Sequence, residues 1–550
     1  MRWLPLIAAA FIAAPACADD AAGMLVGASI RTLDADAPSA EAMAWDADGR
    51  LLAVGRAETL RQRWPEVEPI DADGRTVIPG LIDAHAHVMG LGFALLNADL
   101  AGADSVEEVL ARLRRHAGNL PEGAWLRGRG WDQTRWDGGE FPTAADLDDA
   151  FPDRPVLLDR VDGHAAWANT AAMRRVERDL TGDWQPEGGH VHRDADGRPT
   201  GVFIDKAAAV FDDAIPPPGE AEKALALDRA LAHMAARGLT GVHDAGTSLD
   251  TLRRLLHREA AGKLTIRVHA LADGDAAALE ALCRLGPVDT PRVTARGVKF
   301  YADGALGSRG AALLEDYHDD PGNRGLLFES DEAMQRLVDR AMDCGLQLAI
   351  HAIGDRANRQ VIDVLTAGQR RFPDNPGRHR IEHAQIVHPD DIPRIAEAGL
   401  IASMQPTHAT SDMRWAEDRL GEERLFGAYA WQRMRQAGAR LAFGSDFPVE
   451  KVDPMLGLYA AVTRQDLDGE PPGGWLPEQR VTMPVALEGF TVDAAWAGFA
   501  EDDVGSLEVG KYADFVVLDR DPFAVDAGDV PGIRVLRTVV GGETVYEADD

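Results

Sequence analysis

Between residues 77 and 446 the chain carries eight short apolar runs, separated by helix-like or polar stretches, and this alternation limits the fold more than any other feature. The runs end at His87, Asp244, Ala270, Asp303, His351, His383, Gln405 and Asp446. Helical stretches, such as residues 331–344 and 389–398, lie between them. Eight βα repeats predict an α/β fold, a (β/α)8 TIM-like barrel whose chemistry sits where the strands end. A barrel core asks only for Val, Ile and Leu at those ends, yet several runs finish on a side chain able to bind a metal.

Short strands and turns fill both ends of the chain. Gly541-Gly542 reads as a hairpin turn between Thr538-Val539-Val540 and Glu543-Thr544-Val545-Tyr546. Residues 22–76 and the segment from 481 to 550 are therefore expected to build one small β-sandwich domain from both ends, the latter also ending the barrel. Residues 77–480 would form the barrel, with an insertion at about 90–238 after its first strand. That insertion is rich in tryptophan (Trp125, Trp131, Trp136, Trp167). Insertions at this face of a barrel normally roof the site, although the tryptophans could equally pack a small core of their own.

The first 18 residues read as an export signal: Arg2, a short apolar stretch from Leu4 to Ala14, then small residues. Cleavage before Asp19 would release a secreted or periplasmic chain. A loose lipobox at Ala14-Pro15-Ala16-Cys17 would instead anchor it through lipid on Cys17. No later segment is apolar enough for a transmembrane span. Cys283 and Cys344 lie in helix-like stretches without metal-ligand spacing and read as two unpaired buried thiols. A net charge of −33 over 550 residues argues against nucleic acid as a partner.

His85-Ala86-His87 closes the first barrel run, and strand alternation places both rings on one face, within reach of one ion. Alone the pair is weak: with 16 histidines in the chain, chance supplies roughly half an HxH pair. His190-Val191-His192 is such a pair; it follows Gly188-Gly189 with no apolar run before it and reads as loop. The company of the first pair is what matters. Lys299 lies inside the apolar run 297–302, where a lysine is costly unless neutralised or paired. His351, His383 and Asp446 end other runs. A satisfied core histidine explains any one of these, but not five metal-competent residues and a buried lysine in one barrel.

Together they make a two-metal site. His85, His87 and Asp446 would hold one ion, and His351 and His383 the other. Two dications repel, and a bridging anion is needed. A neutral Lys299 amine can take up carbon dioxide to give a carbamate, a long carboxylate able to join them. Carbamate, Asp446 and a bridging hydroxide then remove three of four positive charges, leaving a centre that still activates a carbonyl. The alternative is a Lys299 amine paired with Asp303.

These stretches resemble the amidohydrolase superfamily, and more narrowly the metal-dependent hydrolases grouped with N-substituted formamide deformylase (amidohydrolase family 3). Residues 77–87 look like the family's opening signature. The stretches 299–309, 351–356, 380–385 and 444–449 look like its later ones, and residues 504–514 resemble the tail that completes the β domain. The resemblance implies metal ligation by His85, His87, Lys299, His351, His383 and Asp446, with two divalent ions, most simply zinc, bridged by carbamylated Lys299. It implies Asp446 as the catalytic proton shuttle, and substrate contacts from Trp131, His164 and Arg309. Gly201-Val202-Phe203-Ile204-Asp205 departs from the pattern, with Asp where Glu is expected, which weakens any role for Asp205. The implied activity is hydrolysis of a non-peptide amide or related C–N bond in a small molecule. A lactone or ester hydrolase and a deaminase are alternatives on the same fold, although the lysine at the fourth strand argues against a deaminase. A non-catalytic exported binding protein would not be expected to keep the whole ligand set. Substrate identity and oligomeric state do not follow from the sequence.

Overall fold

The computed structural model describes residues 20–549, apart from 119, 122, 161–164 and 187–188. The described residues form two compact units: residues 20–87 with 232–549, and Val88–Leu231.

The first unit contains the barrel. Its strands are β1 (Leu81–Ala86), β2 (Leu239–Thr247), β3 (Arg267–Asp273), β4 (Val293–Tyr301), β5 (Gln347–Ala352), β6 (Arg380–His383), β7 (Ile401–Met404) and β8 (Arg440–Phe443). They hydrogen-bond in that order, all parallel. Just past β8, the Asp446 amide donates to the His85 carbonyl (2.8 Å) and the His87 amide to that of Phe447 (2.9 Å), drawing the ring nearly closed. Helices α1 (Leu249–Ala260), α2 (Ala276–Leu285), α3 (Asp331–Asp343), α4 (Asp355–Arg371) and α5 (Ile392–Glu397) follow β2 to β6. Side chains of Ser248, Asp275 and Ser330 cap α1, α2 and α3 by accepting from first-turn amides. One element differs from expectation. The run 77–84 does not form a single strand: Thr76–Pro79 pairs with Phe515–Leu518 outside the barrel, and β1 begins after Gly80. Pro79 has no N–H to continue the ladder.

Strands from both chain ends make two small sheets in the same unit. One runs 51–55, 42–45, 23–26, 70–71; the other runs 543–547, 535–540, 515–518, 76–79, 29–31, 39–40. Leu25, Ile30, Trp45, Val77 and Phe515 fill their core. Gly541 and Gly542 have φ of 58° and 76°, as the expected hairpin turn requires. The cysteine reading is corrected here. Cys283, in α2, and Cys344, just after α3, form a disulfide with Cα atoms 5.1 Å apart. Neighbouring helices bring them together across 61 residues, and no spacing in the sequence reports that.

The second unit has a six-stranded sheet in the order 189–193, 199–205, 165–168, 156–160, 126–131, 98–99. Trp131, Trp136 and Trp167 pack with ring centroids 5.9–6.1 Å apart. Each indole N–H is satisfied by a carbonyl, of Leu158, Ala103 and Thr143 respectively. Trp131 is 0% exposed. That corrects its assignment as a substrate contact: the ring is core, and its one polar atom is taken. His190-Val191-His192 also differs from the loop reading, since it lies in the edge strand Gly189–Arg193. Among the described residues no helix is long and apolar enough to cross a membrane.

Candidate metal centre

Three metal-competent side chains converge where β1 and β8 end. His87 Nε2 lies 3.0 Å and His85 Nε2 3.6 Å from Asp446 Oδ1. Gly444 permits this approach, because a Cβ there would stand 2.5 Å from the His85 amide nitrogen and from Asp83 Oδ1. The Asp83 carboxylate accepts from the Ser445 hydroxyl (2.6 Å) and from the amides of His85 and Ser445, tying the two strand ends together. Burial raises Asp83 to about 7, against the pull of those donors.

In His85, His87 and His383 the nitrogen Nδ1 is fixed by a partner, which turns Nε2 of each ring toward the group. His85 Nδ1 meets Glu382 Oε2 at 2.5 Å, His87 Nδ1 donates to the Ala245 carbonyl (2.8 Å), and His383 Nδ1 donates to Gln405 Oε1 (2.8 Å). Such partners set the tautomer and aim of metal-binding histidines. Glu382 is held by Arg380, whose Nε and Nη2 donate to it at 2.7 and 3.0 Å; both side chains are wholly buried. Burial opposes ionisation of Glu382, but the Arg380 and Lys299 charges outweigh it and hold its carboxyl below the usual range.

Lys299, 1% exposed, places Nζ 3.3 Å from His85 Nε2. Burial lowers its ammonium to about 8, while the charges of Glu382 and Asp446 resist the fall. Asp303 is not its partner. That carboxylate accepts from the amides of Ala312, Ile353 and Gly354 at 2.8–3.0 Å and organises the loops beyond β4 and β5. The rings of His85 and His351 lie 4.7 and 4.5 Å from His383. Burial, then the Lys299 charge, pushes His351 down to about 3, so its ring is neutral and able to ligate.

Among the described residues two groups could each hold an ion: His85, His87 and Asp446; and His383, His408 and Asp446. His351 belongs to neither and packs beside the second. His408, which sequence reasoning missed, sits in α6 (Pro406–Asp412), its Nε2 3.6 Å from Asp446 Oδ2. It follows the end of the seventh run by three residues, and a search beyond strand ends would have reached it. His408 Nε2 is buried with no hydrogen-bond partner among the described residues, and Asp446 Oδ1 meets only imidazole nitrogens. Atoms placed in this way fit a divalent cation. Burial alone would raise the Asp446 carboxyl, but the His87 contact and the surrounding imidazoles hold it well below the carboxylate range. His383 and Asp446 also adopt left-handed backbone (φ 75° and 62°), a strain that persists where the surroundings enforce it.

Arg309 Nε and Nη2 donate to Asp319 at 3.1 and 2.8 Å. His164 lies outside the described residues.

A model of the amidohydrolase family matches residues 68–546. The chain belongs to the amidohydrolase family. This amidohydrolase is 34% identical over 510 residues to the YtcJ protein of Bacillus subtilis (strain 168), covering 91% of this chain and 95% of that one. It is 31% identical over 548 residues to the N-substituted formamide deformylase of Arthrobacter pascens, covering 95% of this chain and 98% of that one. The solved structure of an uncharacterized metal-dependent hydrolase from Pyrococcus horikoshii OT3 superposes with a TM-score of 0.76 at 31% identity, covering 92% of this chain and 99% of that chain. The amidohydrolase is thus a metal-dependent hydrolase with a barrel fold.

Proposed function

We propose that this amidohydrolase cleaves an acyl–nitrogen bond other than a peptide bond in a small molecule. Two divalent ions, zinc by expectation, would be held by His85, His87, His351, His383, Asp446 and a carbamylated Lys299. The observation that carries this reading is the convergence of His85 Nε2 and His87 Nε2 on Asp446 Oδ1, at 3.6 and 3.0 Å, while the other nitrogen of each ring is already committed. Bound there, such ions would supply Lewis-acid polarisation of a carbonyl and a lowered pKa for water. Asp446 takes the proton of the attacking water and returns it to the departing nitrogen, which leaves as an amine. Glu382, Ala245 and Gln405 hold three imidazoles in one tautomer throughout. A neutral Lys299 amine adds to carbon dioxide and releases a proton, forming the carbamate; the Asp303 carboxylate is instead turned toward three backbone amides. The formamide deformylase among the relatives supports a C–N substrate.

The test is a turnover screen of metal-loaded protein against formamides, N-acyl amino acids, carbamates and lactones, with metal content measured in parallel. Turnover of an acyl–nitrogen substrate at close to two equivalents of metal is expected. Turnover of lactones alone, or one equivalent unchanged by added metal, would overturn the reading.

We also propose that the chain is exported by its first 18 residues. The Cys283–Cys344 disulfide supports this, because disulfides persist in oxidising compartments. Intact mass from a bacterial envelope should begin at Asp19 or at a lipidated Cys17; a chain retaining Met1 in the cytosol would refute it.

A further inference from the structure

A cavity of about 330 Å³ lies at the N-terminal ends of β2, β3 and β4, the opposite end of the barrel from the metal centre. Its walls come from those strands, from the segment after α7 (Val492–Ala497) and from residues 503–514. Ile82, Val268, Phe499 and Val504 give it apolar walls. The volume lies near the lower end of ligand sites, roughly 300–1,000 Å³. The charges on its lining are already matched in pairs. Arg267 binds Asp514 at 2.8 and 2.9 Å, Arg292 meets Glu543 at 3.0 Å, Asp503 accepts from Arg50 at 2.8 Å, and Asp289 accepts from Arg296 at 2.8 Å.

One buried imidazole nitrogen in the wall is left over. His243, 3% exposed, has Nδ1 at 2.6 Å from Arg380 Nη1. A guanidinium can only donate, so Nδ1 accepts and the ring hydrogen must sit on Nε2. No described residue accepts that hydrogen. Nε2 faces Gly498, where an added Cβ would stand only 2.7 Å away, so the glycine keeps the donor open to the cavity. The neighbouring His269 shows the contrast: Thr294 Oγ1 (2.8 Å) and Gln347 Oε1 (3.1 Å) occupy both its nitrogens. Phe499, next to Gly498, is held in left-handed backbone (φ 59°), costly for a bulky residue.

We propose that this cavity is a second small-molecule site, taking an uncharged, partly apolar molecule about one ring in size whose carbonyl oxygen accepts the His243 Nε2 hydrogen. Matched wall charges leave no counter-ion for a charged ligand, and the apolar side chains favour a ring. An occupant would touch, through His243, the buried chain Arg380–Glu382–His85 that ends at the metal centre.

The probe is acetophenone, which has the carbonyl and no bond this enzyme class hydrolyses. Ethylbenzene has nearly the same shape without the acceptor. Calorimetric titration of the metal-loaded, full-length protein should show one acetophenone per chain, bound about tenfold more tightly than ethylbenzene, as one net hydrogen bond predicts. A soaked crystal should place its oxygen on His243 Nε2. Gly498→Ala should weaken acetophenone about tenfold, and Ala500→Leu, narrowing the cavity from another wall, should weaken both ligands in a protein with unchanged melting. Equal affinity for the two ligands, no saturable binding, or acetophenone only at the metal centre would each overturn the proposal. If Gly498→Ala does not fold, Ala500→Leu and the ligand pair decide it.

Discussion

Asp446 stands where the electrostatics of the site meet, since its two oxygens face His87 and His85 on one side and His408 on the other. The imidazoles around it are aimed by residues outside the metal-competent groups. Glu382 is the clearest: it fixes His85 through Nδ1 and is itself held by Arg380. Glu382→Gln should lower metal affinity about 10–100-fold, the usual effect of losing such support. The same change leaves Arg380 buried without its counter-charge, costing about 3–5 kcal/mol of stability. Chelator competition on the folded variant reads the first effect and thermal melting the second; unchanged affinity would remove Glu382 from the support of the metal. His85, His87, His383 and Asp446, which fall in the metal-competent groups, are legible in sequence because they close apolar runs. His408 is not, because a helix supplies it one turn beyond β7. Glu382 is hidden differently: inside Arg380-Ile381-Glu382-His383 it looks like strand, and only three-dimensional proximity to His85 gives it a role.

At the level of elements, the disulfide joins α2 to the end of α3 on the outside of the barrel. Closing a loop of 61 residues restricts the unfolded chain, worth about 2–4 kcal/mol. Replacing both cysteines by serine should therefore lower the melting temperature by several degrees while leaving bound metal unchanged, since neither residue touches the centre. A variant melting with the parent would mean that helix packing alone holds the pair. Packing also explains the second HxH pair. His190 and His192 lie in a strand, as His85 does, so strand context does not separate functional from incidental pairs. The difference is what stands opposite: His192 Nδ1 meets Thr200 Oγ1 (3.0 Å), and neither ring joins a metal-competent group among the described residues.

For the whole molecule, the barrel is readable because periodicity and turn chemistry agree eight times over. The break at Pro79-Gly80 is lost in a continuous apolar run, because hydrophobicity does not say which sheet a strand joins. What the ring order implies concerns timing. His85 and His87 lie at the end of the first barrel strand and Asp446 just past the last, so no half of the chain owns the centre. The bonds that aim the ligands, from Glu382, Ala245 and Gln405, are all between parts of the protein and require no ion. Refolding in chelator should accordingly restore the near-ultraviolet circular dichroism before any metal is supplied, and a spectrum that returns only with metal would contradict this order. An ion that arrives last is drawn from whatever supply surrounds the finished barrel. Binding strength among first-row metals follows a fixed series that proteins seldom overturn, so the metal this enzyme carries will record the place where its chain finished folding.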